Sequence, residues 1–506
     1  MTRYGFVMDQ DACIGCHACT VACKSEHDVP LGVNRTWVKY IESGSFPDTQ
    51  RKFSVMRCNH CEDAPCVNVC PTTSLFKRDD GIVDFDSESC IGCKSCMNAC
   101  PYDAIYIDPE EQTAAKCNYC AHKVDVGLEP ACVSVCPTQA ILAGDMDDPS
   151  TRIAQVMGRE RLAVRTPEQN TKPQVFYKGA DQASLDPLRS RIPADGMIWA
   201  DRTAGHSSLP VVQVGGGQPP PSRFAEPART VYTTAHELAW KWKVSAYLVT
   251  KGVGGGALMV AALLWLAGRG DSALVRVGAP ALGLVMAAAT GVLLVSDLRR
   301  PERFWFMFTR RANWTSWLVK GSVVLLGFGA VGFGWLLAGL AGADGVLSVL
   351  AVAGAVAGAA TAGYTALLFA QCEGRDLWQS PLLLPVLLAQ AVAAGAAGLL
   401  LLAPVVAVDA ATTGVLGWCL AGGMTTALGL YWVEVCSHPT RHVEAATEIL
   451  VRGAERARFW TGVGTGVVAV ALALLGWPVP AAVAALLSLA AYEHAFVRAG
   501  QLVPLS

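Results

Sequence analysis

Apolar positions are spread unevenly along this chain. Up to about residue 180 they come in short groups broken by Gly, Pro and charged residues; beyond about residue 244 they fuse into long runs with few charges inside them. Eight such runs can be marked, at 244–267, 276–297, 314–340, 346–370, 380–404, 413–435, 459–476 and 479–497. The first six reach the roughly 20 residues that a helix needs to cross a bilayer. The last two are shorter and are divided only by Trp477-Pro478-Val479-Pro480. That predicts a tight helical hairpin, with a single re-entrant segment as the alternative. Helices of soluble domains carry a polar stripe, whereas these runs are apolar all round, so the pattern predicts a membrane bundle of about eight helices. Their frequent Gly and Ala, as in Gly252-Val253-Gly254-Gly255-Gly256 and Gly354 with Gly358, predict close helix packing rather than ligand binding.

Residues 181–240 are rich in Gly, Pro and polar side chains and include Gly215-Gly216-Gly217-Gln218-Pro219-Pro220-Pro221. Such a stretch reads as a linker or loose surface strap. Three parts follow: a compact α+β domain over 1–180, the strap over 181–240, and the all-α membrane bundle over 241–506.

Composition sharpens this division. The 506 residues are 52% hydrophobic and only 16% charged, low for a soluble protein. A net charge of −2 offers no basic excess that would point to nucleic acid. Of 19 Cys, sixteen fall in four groups before residue 137, while Cys372, Cys419 and Cys436 are scattered in the apolar part and read as packing residues. The opening Met1-Thr2-Arg3-Tyr4-Gly5 shows no apolar export signal and no twin arginine, which predicts a cytoplasmic location unless an exported partner carries the chain along. Sixteen thiols in that setting predict metal binding rather than disulfides.

The spacing of those thiols identifies the metal. Cys13, Cys16, Cys19 and Cys23 are separated by two, two and three residues, and Cys90, Cys93, Cys96 and Cys100 repeat the pattern. In Cys58, Cys61, Cys66 and Cys70 the middle gap widens to four, and in Cys117, Cys120, Cys132 and Cys136 to eleven. Pro71, Pro101 and Pro137 follow three of the four last cysteines. Three close thiolates wrap one [4Fe–4S] cubane, and the fourth points away to ligate the other cluster of a pair. Zinc sites use pairs of cysteines, not runs of four. Four complete motifs therefore predict four [4Fe–4S] clusters, and an all-Cys set predicts no three-iron cluster. A row of clusters is a path for electrons and needs no substrate pocket of its own.

With these motifs in view, residues 1–180 resemble the iron–sulfur subunits of molybdopterin oxidoreductases of the dimethyl-sulfoxide-reductase and polysulfide-reductase type. The resemblance implies a pairing of the first motif with the fourth and of the second with the third. Cys13, Cys16, Cys19 and Cys136 would then hold one cluster, and Cys117, Cys120, Cys132 and Cys23 the next. Cys58, Cys61, Cys66 and Cys100 would hold a third, and Cys90, Cys93, Cys96 and Cys70 the fourth. Residues 235–500 resemble the eight-helix quinol-reactive anchors of the NrfD and polysulfide-reductase kind, through Trp242-Lys243-Val244-Ser245-Ala246-Tyr247-Leu248, Asp297-Leu298-Arg299-Arg300-Pro301-Glu302-Arg303-Phe304, Gly374-Arg375-Asp376-Leu377-Trp378 and His438-Pro439-Thr440-Arg441. The two modules, usually separate subunits, would here be fused. The resemblance implies quinone as diffusible substrate and a molybdopterin-containing catalytic subunit as partner.

Ionisable groups at membrane depth are costly and suggest function. Lys251 lies within the first run, Asp297 and Glu434 end the second and sixth, and Glu493 with His494 lies near the end of the eighth. A quinone that takes two electrons also takes two protons, which calls for such groups. Lys251, Asp297, Arg303, Glu434 and His438 are the candidate quinone-site residues, with snorkelling or salt bridges between helices as the alternative. The nine His, at 17, 27, 60, 122, 206, 236, 438, 442 and 494, all lie away from mid-run positions, so no haem is expected. Basic residues set orientation. With eight crossings, Lys241, Lys243, Arg299, Arg300, Arg303, Arg310, Arg311, Arg375, Arg441, Arg452, Arg456, Arg458 and Arg498 share the side of the cysteine domain; Arg269 and Arg276 lie opposite. That asymmetry predicts an inner-membrane protein with its cluster domain in the cytoplasm. By analogy it predicts a quinone-reducing sulfite dehydrogenase. A periplasm-facing reductase module of the dimethyl-sulfoxide, polysulfide or thiosulfate type and a proton-translocating complex are the alternatives.

Overall fold

The computed structural model of the chain describes residues 2–191, 228–406 and 408–506; the Gly- and Pro-rich stretch at 215–221 lies outside them. Two small sheets frame the cysteine loops. In the first, Tyr4–Asp9 runs antiparallel to Ile141–Asp145 and parallel to Val175–Lys178, with Leu162–Ala163 on the edge. The strand alternation sends Phe6 and Met8 to one face, against Cys19, Cys132 and Tyr177, and Val7 to the other, against Ile153 and Met146. In the second, Thr36–Ser43 lies between Gln50–Arg57 and Ala228–Tyr232. Ala228–Tyr232, inside the 181–240 stretch, thus pairs into the soluble sheet ahead of the membrane bundle. Two ribbons, Leu75–Lys77 with Val83–Phe85 and Ile105–Ile107 with Ala114–Lys116, complete a ferredoxin-type domain.

Strand Thr36–Ser43 buries the ammonium of Lys39, which is 2% exposed. Burial, reinforced by Arg165 and opposed by Asp186, brings it down to about 7. A free Lys titrates near 10.4, so between these values the unfolded state holds more protons and stability rises with pH. Thermal unfolding should move to higher temperature between about pH 7 and pH 9, and Lys39→Met should flatten that rise. Equal slopes in the two proteins would contradict it.

Among the described residues eight helices are long and apolar enough to cross a membrane. Span 1 is Trp242–Leu266, span 2 Leu274–Asp297, span 3 Trp317–Ala341, span 4 Asp344–Ala370, span 5 Leu383–Val406, span 6 Ala410–Cys436, span 7 Arg456–Leu474 and span 8 Pro478–Leu502. Spans 7 and 8 are about 28 and 37 Å long at 1.5 Å per residue, so the last apolar stretch is a hairpin of two full helices, not one re-entrant segment. Spans 1 and 5 are 67% and 72% buried and span 8 56%, against 33% or less for the others; these three form the hub. Small residues let helices close on the hub and within it. A Cβ on Gly358 would stand 2.4 Å from the Gly255 carbonyl oxygen, and one on Gly256 1.7 Å from that of Ala391. Trp305, Trp314, Trp432, Trp460 and Trp477 are exposed near span ends, where indoles anchor a protein at the lipid–water boundary. An amphipathic helix, Arg441–Val451, separates spans 6 and 7 and buries Val443, Ala446, Ile449 and Leu450. The hydropathy pattern gave no sign of it.

Candidate electron-transfer site

The first and third cysteine loops share a backbone device. In Cys13-Ile14-Gly15-Cys16-His17, Gly15 and His17 have φ of 68° and 60°; in Cys90-Ile91-Gly92-Cys93-Lys94, Gly92 and Lys94 have 67° and 65°. Left-handed turns of this kind make concave nests of N–H groups that suit an anion. Gly92 is required twice over, since a Cβ there would also meet the Arg299 Cβ at 2.5 Å and the Gln112 carbonyl oxygen at 3.0 Å.

Helix packing gathers the thiols. Ala18–Glu26 packs on Ala131–Ser134, and Pro65–Val69 on Ser95–Ala99. These contacts fold the first motif onto the fourth and the second onto the third. Cys23, Cys117, Cys120 and Cys132 line one cavity, walled by Phe6, His27, Arg57 and Tyr119. Cys13 stands near Cys136 and Cys16, Cys66 near Cys100, Cys58 and Cys61, and Cys96 near Cys93, Cys90 and Cys70. All 19 cysteines are free of disulfides. Among the described residues no three converge as the ligands of a single metal ion would. An all-thiolate donor set spread around a cavity suits an iron–sulfur cluster. Arg57 supports that fit: it is fully buried, donates to Cys132 Sγ at 3.2 Å, and leaves Nε and one terminal nitrogen unpartnered. A buried cation that faces four sulfurs calls for an anionic occupant. As free thiols, Cys93 and Cys117 are pushed up to about 12 by burial, so cluster loading must expel protons. Burial and then Arg35 hold His27 down at about 4, neutral, with Nε2 3.2 Å from Cys120 Sγ.

The four groups stand in line. Cys19 neighbours Cys132, Cys117 neighbours Cys58, and Cys96 neighbours Cys66. The first group is outermost: Cys16 is exposed, with Ile14, Val21 and Val135 exposed around it. The group of Cys70, Cys90, Cys93 and Cys96 lies against the membrane bundle. Trp240 Nε1 donates to the Cys93 carbonyl at 3.2 Å and stacks with Phe369 and Trp378, their ring centroids 4.7–5.4 Å apart.

Polar clamps fasten this junction, and two candidate quinone residues are among them. Asp297 accepts from Lys94 Nζ at 2.7 Å. Arg303 donates to the carbonyls of Ser87 and Cys90 at 2.7 and 3.1 Å. Asn313 donates to the Cys70 carbonyl at 2.9 Å, and Arg311 to Ser89 Oγ at 2.9 Å. Several arginines counted toward topology thus dock the cluster domain. Glu434 accepts from Ser380 Oγ at 2.6 Å at the end of span 6, and His438 is exposed beyond it.

Lys251 lines a cavity inside the bundle. It shares that space, among spans 1, 4, 5 and 8, with Gln390 and Glu493. Its ammonium donates to the Ala362 carbonyl at 2.9 Å and sits 4.9 Å from the centre of the Tyr364 ring. Gln390 stands beside Glu493 and donates to Tyr431 Oη at 2.6 Å. Gln390 and Tyr431 drew no attention in the sequence, being single polar positions in apolar runs.

Buried thiol groups in line, docked by hydrogen bonds on eight apolar helices, define a membrane-anchored iron–sulfur electron-transfer protein. Residues 230–503 match the family described as polysulphide reductase, NrfD, and residues 12–75 and 49–146 match 4Fe-4S dicluster domains. The chain thus belongs to the NrfD polysulphide reductase family, with a four-motif iron–sulfur domain fused ahead of the membrane part. That domain is similar to a tetrathionate reductase subunit of Salmonella typhimurium, 42% identical over 203 residues, which is 39% of this chain and 80% of the relative. It is similar to a polysulfide reductase component of Wolinella succinogenes, 41% identical over 34% of this chain and 93% of the relative. A third similarity is to the arsenate respiratory reductase iron–sulfur subunit ArrB of a Shewanella species, 34% identical over 35% of this chain and 95% of the relative.

Proposed function

We propose that this chain carries electrons between a molybdopterin-containing catalytic subunit and membrane quinone through four [4Fe–4S] clusters. Cys13, Cys16, Cys19 and Cys136 hold the first, which takes the catalytic subunit on the apolar surface around Cys16. Cys23, Cys117, Cys120 and Cys132 hold the second, Cys58, Cys61, Cys66 and Cys100 the third, and Cys70, Cys90, Cys93 and Cys96 the last, beside the membrane. The observation that carries this reading is the linear succession of four thiol groups that ends on the Trp240–Trp378 stack. Quinone meets the last cluster at the junction. Its protons pass through Lys251, Gln390 and Glu493 inside the bundle and Glu434 and His438 at the rim, while Asp297 and Arg303 hold the two modules together. The basic side of the bundle is the cytoplasmic side of the inner membrane, and the leading substrate for the partner is sulfite, oxidised with quinone as acceptor.

EPR of the reduced, purified chain should show four [4Fe–4S] signals; two or fewer would overturn the proposal. A fluorescent protein fused after Ser506 shares the cluster side and should fluoresce in cells. A dark but folded fusion would place the clusters in the periplasm. That outcome would favour the second reading, a periplasm-facing reductase module like the tetrathionate and polysulfide enzymes whose subunits the domain resembles.

A further inference from the structure

Two buried cations in the cluster domain lie at the middle of the line of thiols. Arg57 is 0% exposed and stands among Cys132, Cys117 and Cys19. It lies 4.4 Å over the Phe6 ring and lines the cavity of Cys23, Cys117, Cys120 and Cys132. Lys116, also 0% exposed, donates to the Val83 carbonyl and, at 3.0 Å, to that of Cys117, and Cys66 is nearby. Among the described residues neither cation forms an ion pair. Lys94, by contrast, is matched with Asp297, and the buried Glu455 with Arg458 and Arg498.

An unmatched buried charge costs several kcal/mol unless an opposite charge shares its low-dielectric site. Nothing in the packing explains why Arg57 should leave two of its nitrogens unpartnered and aimed among thiols. We infer that Arg57 and Lys116 are electrostatic positioning residues, which hold negative charge on the two middle clusters and raise their reduction potentials. The inference rests on the four-cluster reading. One electron takes a cluster core from the 2+ to the 1+ state, and the unit with its four thiolates from −2 to −3. Fixed cations stabilise the second state more than the first, and no proton needs to move. Net charge and hydrogen bonds at the sulfurs are recognised levers on these potentials. Arg57 supplies both, whereas Lys116 supplies charge alone.

The test is an EPR-monitored redox titration of the full chain in detergent, with iron content measured alongside. In Arg57→Gln one of the four signals should need a lower potential, with its reduced-to-oxidised ratio at fixed potential falling about tenfold, or about 59 mV for a one-electron couple. Arg57→Lys should recover most of that shift, and Lys116→Gln should lower a different signal. A purely structural role would leave every potential in place at full iron content, and that result overturns the inference. If Arg57→Gln loses iron, Lys116→Gln decides: a lowered signal supports the inference and an unshifted one overturns it. Fewer than four signals in the unmodified chain would instead overturn the four-cluster reading, and the inference with it.

Discussion

Cys96→Ala is expected to stop electron exchange with quinone while most of the cluster domain keeps its iron. Cys96 is buried on helix Ser95–Ala99 among Cys93, Cys90 and Cys70. That group is the one from which Trp240 and Asn313 reach into the membrane half. Losing its cluster opens a gap between the membrane and the remaining three. With viologen as donor, quinone reduction should fall on the order of a hundredfold or more, equivalent to about 2.7 kcal/mol of added barrier. One EPR signal should vanish and three remain. Cys16→Ala is the contrast, because Cys16 is exposed at the far end of the line. It should spare quinone reduction from viologen, which can enter at the inner clusters, and abolish reduction driven by the catalytic subunit. Equal losses in both assays for both variants would mean that the clusters do not act in series.

The second large effect is steric. Gly256 is completely enclosed where spans 1 and 5 cross, and an added Cβ would stand 1.7 Å from the Ala391 carbonyl oxygen and 2.9 Å from the Gly395 nitrogen. Both are backbone atoms and cannot rotate away. Gly256→Val must push the two most buried helices apart and should cost about 3 kcal/mol or more. Thermal unfolding in detergent, followed through loss of cluster absorbance and light scattering, reads this as a large drop in midpoint. Gly327→Ala, in span 3, is the control, since nothing lies within 4 Å of its added Cβ. It should be neutral, or stabilising by up to about 1 kcal/mol through helix propensity.

These two variants also mark what could be read in the sequence. The spacing of the cysteines is chemistry written in consecutive residues, and the runs without a polar stripe announce lipid, so both modules were legible. Helix ends were not: span 8 runs on to Leu502 because its polar last turn is buried, with Gln501 hydrogen-bonded to the backbone of Trp240. Helix Arg441–Val451 is hidden because its first arginine reads equally well as a topology signal. Asp297 and Arg303 look like membrane-edge charges awaiting a quinone, and their partners, Lys94 and the carbonyls of Ser87 and Cys90, lie some 200 residues away. Arg57 and Lys116 are the least visible. Charged side chains are almost never fully buried without a partner, and here the structure points to the cluster as that partner.

The most direct test reduces the full chain anaerobically in lipid nanodiscs, removes the reductant and adds a soluble quinone. The cluster absorbance should return completely, with one quinol formed for every two electrons released, and Cys96→Ala should block its return. Clusters that are present in full but stay bleached in excess quinone would contradict an electron path from the iron–sulfur domain to the membrane carrier.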